Sequence, residues 1–300
     1  MAIKTVKATI NGQTYDLTLN SASGKWEATI TAPGKTSYNL AGGYYNVSVE
    51  ATNEAGTKGS ADASTVDGLK LVVKETVAPV ITIVSPTAGA YVANSKQPVV
   101  FNITDETGGS GVDISTLVVK QDGTAVAAAN ITHTAISNGY SVTYTPSAAL
   151  SDGSHTVTIN CKDHDGNAAE EKSTTYTVDT VPPTLNVTSP ADDLITAASS
   201  VTVAGTTNDA TSSPVVITIS LNGTDQGTVP VGTGGTFSKV VTLKEGSNTI
   251  IVKAKDAAGK ESSVTRTVTL DTSVPKITAA TITPNPVDTG KTMVISVTIE

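Results

Sequence analysis

The sequence predicts an all-β protein built from two-sheet Greek-key sandwiches in series, and three observations predict it. A fourteen-residue segment recurs as Gly43–Gly56 (GYYNVSVEATNEAG), Gly153–Gly166 (GSHTVTINCKDHDG) and Gly246–Gly259 (GSNTIIVKAKDAAG). Asn-Gly or Asp-Gly pairs sit between alternating runs at Asn11-Gly12, Asp122-Gly123 and Asn222-Gly223. Proline-bearing linkers open the later repeats at Thr76–Pro79, Thr180–Pro183 and Thr272–Pro275.

Each observation has a physical basis. In the recurring segment, Val47, Val49 and Ala51 share one face, as do Val157, Ile159 and Cys161, and Ile250, Val252 and Ala254. Period two with one apolar face describes a half-buried strand. The closing Asn/Asp-x-x-Gly is a turn in which glycine supplies φ > 0. Asn-Gly and Asp-Gly suit a type I′ hairpin, which needs φ > 0 at both central residues. Proline in a linker or edge strand forfeits no ladder hydrogen bond.

Bulk properties narrow the class. Three hundred residues and a repeat near 100 predict three domain equivalents, each large enough to bury a core. Thr, Ser, Val, Gly, Asn and Asp dominate, and no long stretch has helical period. One cysteine excludes an intrachain disulfide, and no Cys-Trp-Cys spacing of an antibody domain exists. The net charge is −8, with Arg266 the sole arginine, so nucleic-acid binding is not expected. No 18-residue apolar run predicts a membrane span. The opening MAIKTVKATINGQTY lacks a signal-peptide apolar region, although the composition resembles that of extracellular proteins.

Residues 77–180 and 181–272 each carry an opening strand, a second strand, the hairpin, a later strand, the Gly-to-Gly strand and a closing strand (Thr175–Val178 or Val264–Leu270). Seven short strands per 100 residues read as a Greek-key sandwich. The DTVPPT linker (Asp179–Thr184), the KDAAGKESS turn (Lys255–Ser263) and the strand spacing resemble tandem bacterial immunoglobulin-like domains along the whole chain. The resemblance implies tandem immunoglobulin-like Greek-key β-sandwiches in an elongated array, and it specifies no activity. The order of segments is also similar to immunoglobulin-like proteins encoded near phage and prophage tail genes of gut Firmicutes.

Residues 1–76 depart from the pattern. Their hairpin glycine is the twelfth residue, whereas Pro79 to Gly123 spans 44 residues and Pro183 to Gly223 spans 40. The two opening strands are missing. Residues 273–300 supply two such strands, KITAATITP and KTMVISVTIE, and together with 1–76 they make 104 residues, one repeat. The expected acceptor face includes Val6, Ile10, Leu17, Trp26, Ile30 and Val47. The expected donor is Ile277, Ile282, Met293, Ile295, Val297 and Ile299. Each such side chain buried contributes about 1.5–3 kcal/mol gross, offset by ordering and association costs. Short linkers hold the ends of one copy apart, so copies are expected to join head to tail as a homo-oligomer or filament. A fourth domain cut short is the alternative. The resulting readings are a non-enzymatic structural or attachment protein of a phage particle or extracellular filament, or a bacterial surface adhesin or stalk.

Chemistry-bearing residues are few. Cys161 takes an inward position held elsewhere by Ala51 and Ala254 and reads as a small core residue. His155 aligns with Tyr45 and Asn248 and reads as a polar strand residue. His133 and His164 lie in no nucleophile motif, and no Gly-x-Ser-x-Gly, His-Glu-x-x-His or phosphate loop occurs. Two acidic loops, with Asp105, Glu106 and Asp113 in one and Asp163 and Asp165 in the other, offer hard oxygen ligands for Ca2+ if they meet at one end of the sandwich. Solvated turns are the competing reading. Tyr38 and Tyr44 are candidate exposed aromatics for a host glycan or another protein of a virion.

Overall fold

A computed structural model of the chain describes residues 2–300, which fall into two compact units, Met1–Asp179 and Thr180–Glu300. The first unit opens with β1 (Ile3–Ile10), β2 (Gln13–Asn20), β3 (Lys25–Glu27), β4 (Tyr45–Asn53), β5 (Lys58–Ala61) and β6 (Lys70–Leu71). They form one sheet in the order β3-β2-β1-β4-β5, with β6 also on β4. The β1–β2 hairpin turns on Asn11 and Gly12 at φ 47° and 78°, the positive pair that the dipeptide predicts.

The same unit continues with β7 (Val80–Ser85), β8 (Tyr91–Val92), β9 (Val99–Thr104), β10 (Val112–Gln121), β11 (Thr124–Ala125), β12 (Ile131–Ile136), β13 (Gly139–Tyr144), β14 (Gly153–Asp163) and β15 (Lys172–Val178). These make two sheets, β12-β13-β9-β7 and β11-β10-β14-β15-β8. Val99, Phe101 and Ile103 of one sheet and Val157, Ile159 and Cys161 of the other belong to one core and are 0% exposed.

The second unit repeats the plan. Its strands are β16 (Thr184–Ser189), β17 (Leu194–Thr196), β18 (Ser200–Asn208), β19 (Val216–Leu221), β20 (Thr224–Val229), β21 (Thr236–Thr242), β22 (Gly246–Lys255) and β23 (Glu261–Leu270). The sheets run β16-β18-β21 and β17-β23-β22-β19-β20, enclosing Val203, Ile217, Ile219, Ile250, Val252 and Ala254. Two elements escaped the sequence reading. β8 and β17 pair in parallel with β15 and β23, and at two and three residues they are too short to show a period.

A last pair, β24 (Ile277–Thr283) and β25 (Val294–Ile299), forms a two-stranded sheet by itself. Its antiparallel pairing matches β7–β9 and β16–β18, and each first strand runs into a proline, Pro86, Pro190 or Pro284. Among the described residues, no helix is long and apolar enough to cross a membrane.

Candidate functional site

The N-terminal sheet has the strand order of one layer of the first sandwich. Its strands correspond to β10, β11, β14 and β15, while residues 2–76 provide nothing equivalent to β7 and β9. The effect shows in the recurring strand. Its inward triplets are fully buried in β14 and β22, but Val47, Val49 and Ala51 of β4 are only half-buried. The two buried apolar clusters draw on residues 81–178 and 187–270 and include no residue of the first sheet.

The expected acceptor residues lie along this sheet and its continuation. Val6 and Ile10 are buried, whereas Leu17, Trp26 and Val47 are half-buried and Ile30 is exposed. Ile30 falls outside the strand expected to hold it, because β3 stops at Glu27. The physical reason is a missing partner. β3 pairs only with β2, through Lys25–Glu27, whereas β13 and β21 pair along their whole lengths with β9 and β18. Residues 28–33 therefore carry no strand pairing. Leu19, which shares a face of β2 with Leu17, is 55% exposed for the same want of a facing layer.

The expected donor strands expose an apolar face. Register places Ile282 opposite Ile295, Ala280 opposite Val297 and Ile277 opposite Ile299. Ile277, Ile295 and Ile299 are 60–64% exposed, and Ile282, Met293 and Val297 are exposed as well. The β9 residues matching Met293, Ile295 and Val297 are Val99, Phe101 and Ile103, all 0% exposed.

A second constellation lies where the N-terminal sheet meets the first sandwich. The Thr36 hydroxyl and the Glu75 amide both donate to the Asp165 carboxylate. Lys74 Nζ donates to the Asp165 carbonyl at 3.1 Å, and Asn39 Nδ2 to the Gly109 carbonyl at 2.6 Å. The Tyr38 ring stacks on His164 at 4.5 Å and 10°. Into this junction come Glu75, Asp105 and Glu106, and one carboxylate oxygen from each lies within 4.8 Å of the other two. The Glu106 carboxyl is pushed up to about 7, chiefly by contact with the Glu75 carboxyl and then by burial. Burial also pushes Glu75 up, but the adjoining Glu106 carboxyl and the Ser110 amide outweigh it and hold the group below its ordinary value.

The five acidic residues expected to gather do not all meet. Asp105 and Glu106 are together, joined by Glu75, which sequence spacing did not single out because it lies in the linker after β6. Asp163 instead closes its own turn, accepting from the Gly166 and Asn167 amides and from Asn167 Nδ2. Asp113 accepts from Ser115, and Asp165 is taken up by Thr36 and Glu75. Short polar loops satisfy their carboxylates locally, which draws them away from a shared centre.

The remaining candidates are packed as follows. Tyr38 is exposed with one ring face on His164, and Tyr44, expected outward, is half-buried with Lys70 Nζ 5.4 Å from its ring centre. His133 packs edge-on to Tyr140. Cys161 is fully buried, burial pushes its thiol up, and Sγ lies 3.4 Å from the Asp113 carbonyl.

Residues 88–180 match a bacterial Ig-like domain model, and residues 183–272 match the model of glucodextranase domain B. The chain carries immunoglobulin-like domains in tandem. Solved structures similar to it include the fibronectin(III)-like modules of Clostridium thermocellum CbhA (15% identity, 64% of this chain and 94% of that one, TM-score 0.42). Another is from work on host cell surface retention of a 1.5-MDa bacterial ice-binding adhesin (24% identity, 89% and 86% covered, TM-score 0.32). A third is a Bacteroides ovatus protein, SGBP-B, in complex with a mixed-linkage heptasaccharide (16% identity, 93% and 62% covered, TM-score 0.24). No curated protein matches the chain. The immunoglobulin-like plan accounts for the two closed sandwiches, and the strands β2-β1-β4-β5 of the N-terminal sheet follow the same order as β11-β10-β14-β15.

Proposed function

We propose that this chain is a non-enzymatic structural or attachment protein whose copies join head to tail, the β24–β25 hairpin of one covering the open face of the N-terminal sheet of the next. The observation that carries this reading is the same Gly-to-Gly strand in three environments. Its apolar triplet is sealed in two closed sandwiches and half-exposed in β4, where the facing layer is absent. The hairpin has the chemistry of that layer: two antiparallel strands with one apolar face, paired like β7–β9 and β16–β18. Residues 28–33 follow β3 where β21 would meet β18, so they offer a backbone edge to β25. Backbone pairing of this kind supplies register, and the apolar pockets supply selectivity. A head-to-tail contact propagates into a filament unless the rotation closes a ring. The setting we infer is a virion or a filament outside the cell.

Light scattering on a sizing column and negative-stain microscopy test this. The full chain is expected to form concentration-dependent oligomers, and removal of residues 273–300 or the pair Ile295→Asp and Val297→Asp is expected to leave monomers. No residue of 273–300 contributes to the second unit's core, so that unit should melt unchanged. A full chain that stays monomeric at high micromolar concentration, melting just as the shortened chain does, sinks the proposal.

A further inference from the structure

We propose that Glu75, Asp105 and Glu106 form a Ca2+ site that fastens the N-terminal sheet to the first immunoglobulin-like sandwich. Three carboxylates converge there from two parts of one unit, Glu75 from the linker after β6 and the other two from the loop after β9. Two of them are anchored by one oxygen and offer the other. Glu75 Oε1 accepts from the Ser110 amide, while Oε2 is buried with no hydrogen-bond partner. Asp105 Oδ2 accepts from the Gly111 amide at 2.7 Å, while Oδ1 is buried with no partner in a residue only 7% exposed.

Such oxygens are costly to bury unless hydrogen-bonded or bound to a cation. The amides of Ser110 and Gly111 aim both carboxylates, so the geometry is built and not a chance crowding of surface acids. Gly109 is part of it. A Cβ there would lie 2.7 Å from Glu106 Oε1 and 2.8 Å from Asp105 Oδ2, so a larger residue would push the carboxylates from their present places. The donor set is all oxygen, which selects a hard cation. A spread of up to 4.8 Å suits oxygens placed about 2.3–2.6 Å from one ion. Ca2+ accepts irregular sets of about 6–8 oxygens, whereas Mg2+ demands a tighter octahedron and keeps its waters. Because Glu75 belongs to the linker, the ion would stiffen the segment 74–79 that joins the two parts.

Calorimetric titration of CaCl2 into the full, EDTA-stripped chain tests this, with thermal melts in EDTA and in Ca2+. One equivalent should bind and raise the melting temperature of the unit Met1–Asp179. Glu106→Gln should weaken binding by more than the ~10–100-fold typical of outer-shell losses. In EDTA the same variant should melt no lower than wild type, since the Gln amide can donate to Glu75 in place of the neutral Glu106 carboxyl and carries no charge, which separates a lost ligand from a lost fold. Glu171→Gln, an exposed acid on another loop, should bind as wild type does. Trypsin cleavage after Lys74 should slow in Ca2+. Absence of binding at millimolar CaCl2, equal binding by the Glu106→Gln chain, or equal affinity for Mg2+ would each overturn the proposal.

Discussion

His155 presents both ring nitrogens to acceptors. Nδ1 lies 2.7 Å from the Asp122 carboxylate and Nε2 lies 2.8 Å from the Ser151 carbonyl. Both nitrogens can donate only in the imidazolium. Burial pushes the group down, but Asp122 and Ser151 outweigh it and raise its pKa above the ordinary histidine value. Burial likewise pushes Asp122 up, and bonds from His155 and the Thr156 amide leave it below its ordinary value. A raised histidine stabilises fully below its unfolded pKa and loses that contribution as pH rises through the folded value. A depressed aspartate stabilises above its unfolded pKa and loses its contribution as pH falls through the folded value. The pair therefore works best between about pH 4 and 6.5. In the second unit Asn248 does the equivalent work without a charge, bonding to Asn222 and to both polar groups of the Lys244 backbone. His155→Asn is expected to cost about 1–2 kcal/mol near pH 5.5 and markedly less near pH 8.5, read from urea transitions of the first unit. The alignment of His155 with Asn248 was legible in the repeat. The partner Asp122 was legible only as a turn residue, because its reach to His155 depends on β10 lying beside β14.

At the scale of elements, equal sequences meet unequal surroundings. Phe101 in β9 and Ile295 in β25 occupy corresponding places in their strand pairs, yet one is 0% and the other 60% exposed. Phe101→Ala should cost about 3–5 kcal/mol in chemical denaturation through the cavity it leaves. Ile295→Ala should change the stability of the dilute monomer by no more than about 0.5 kcal/mol, while shifting the oligomer distribution on a sizing column towards monomer. A large loss of monomer stability from Ile295→Ala would mean that the hairpin already packs within its own chain. Strand identities in β14, β22 and the hairpins were readable from period two and from Asn-Gly or Asp-Gly. The early end of β3 was not, since the residues after Glu27 alternate as a strand should and lack only a neighbour to bond.

At the scale of the whole molecule, the proposed assembly needs one donating and one accepting surface, and removing either should have a directional effect. Residues 77–300 retain the β24–β25 hairpin and both closed cores but no N-terminal sheet. Added in excess to the full chain, this fragment should occupy acceptor faces and end growth, giving shorter particles by light scattering and microscopy. Unchanged particle lengths at any excess would contradict head-to-tail donation. The repeat length was countable from the amino-acid order.

Local periodicity and turn chemistry, acting within a few residues, determined the all-β class, the hairpin positions and the repeated strand of this protein without help from the rest of the fold. Only the tertiary structure decided that Glu75 joins Asp105 and Glu106, that Asp113, Asp163 and Asp165 turn to other partners, and that the apolar triplet of β4 stays half-exposed. Burial and carboxylate clustering depend on which distant segments lie face to face, and a side-chain period describes a strand's two faces without saying what covers either one.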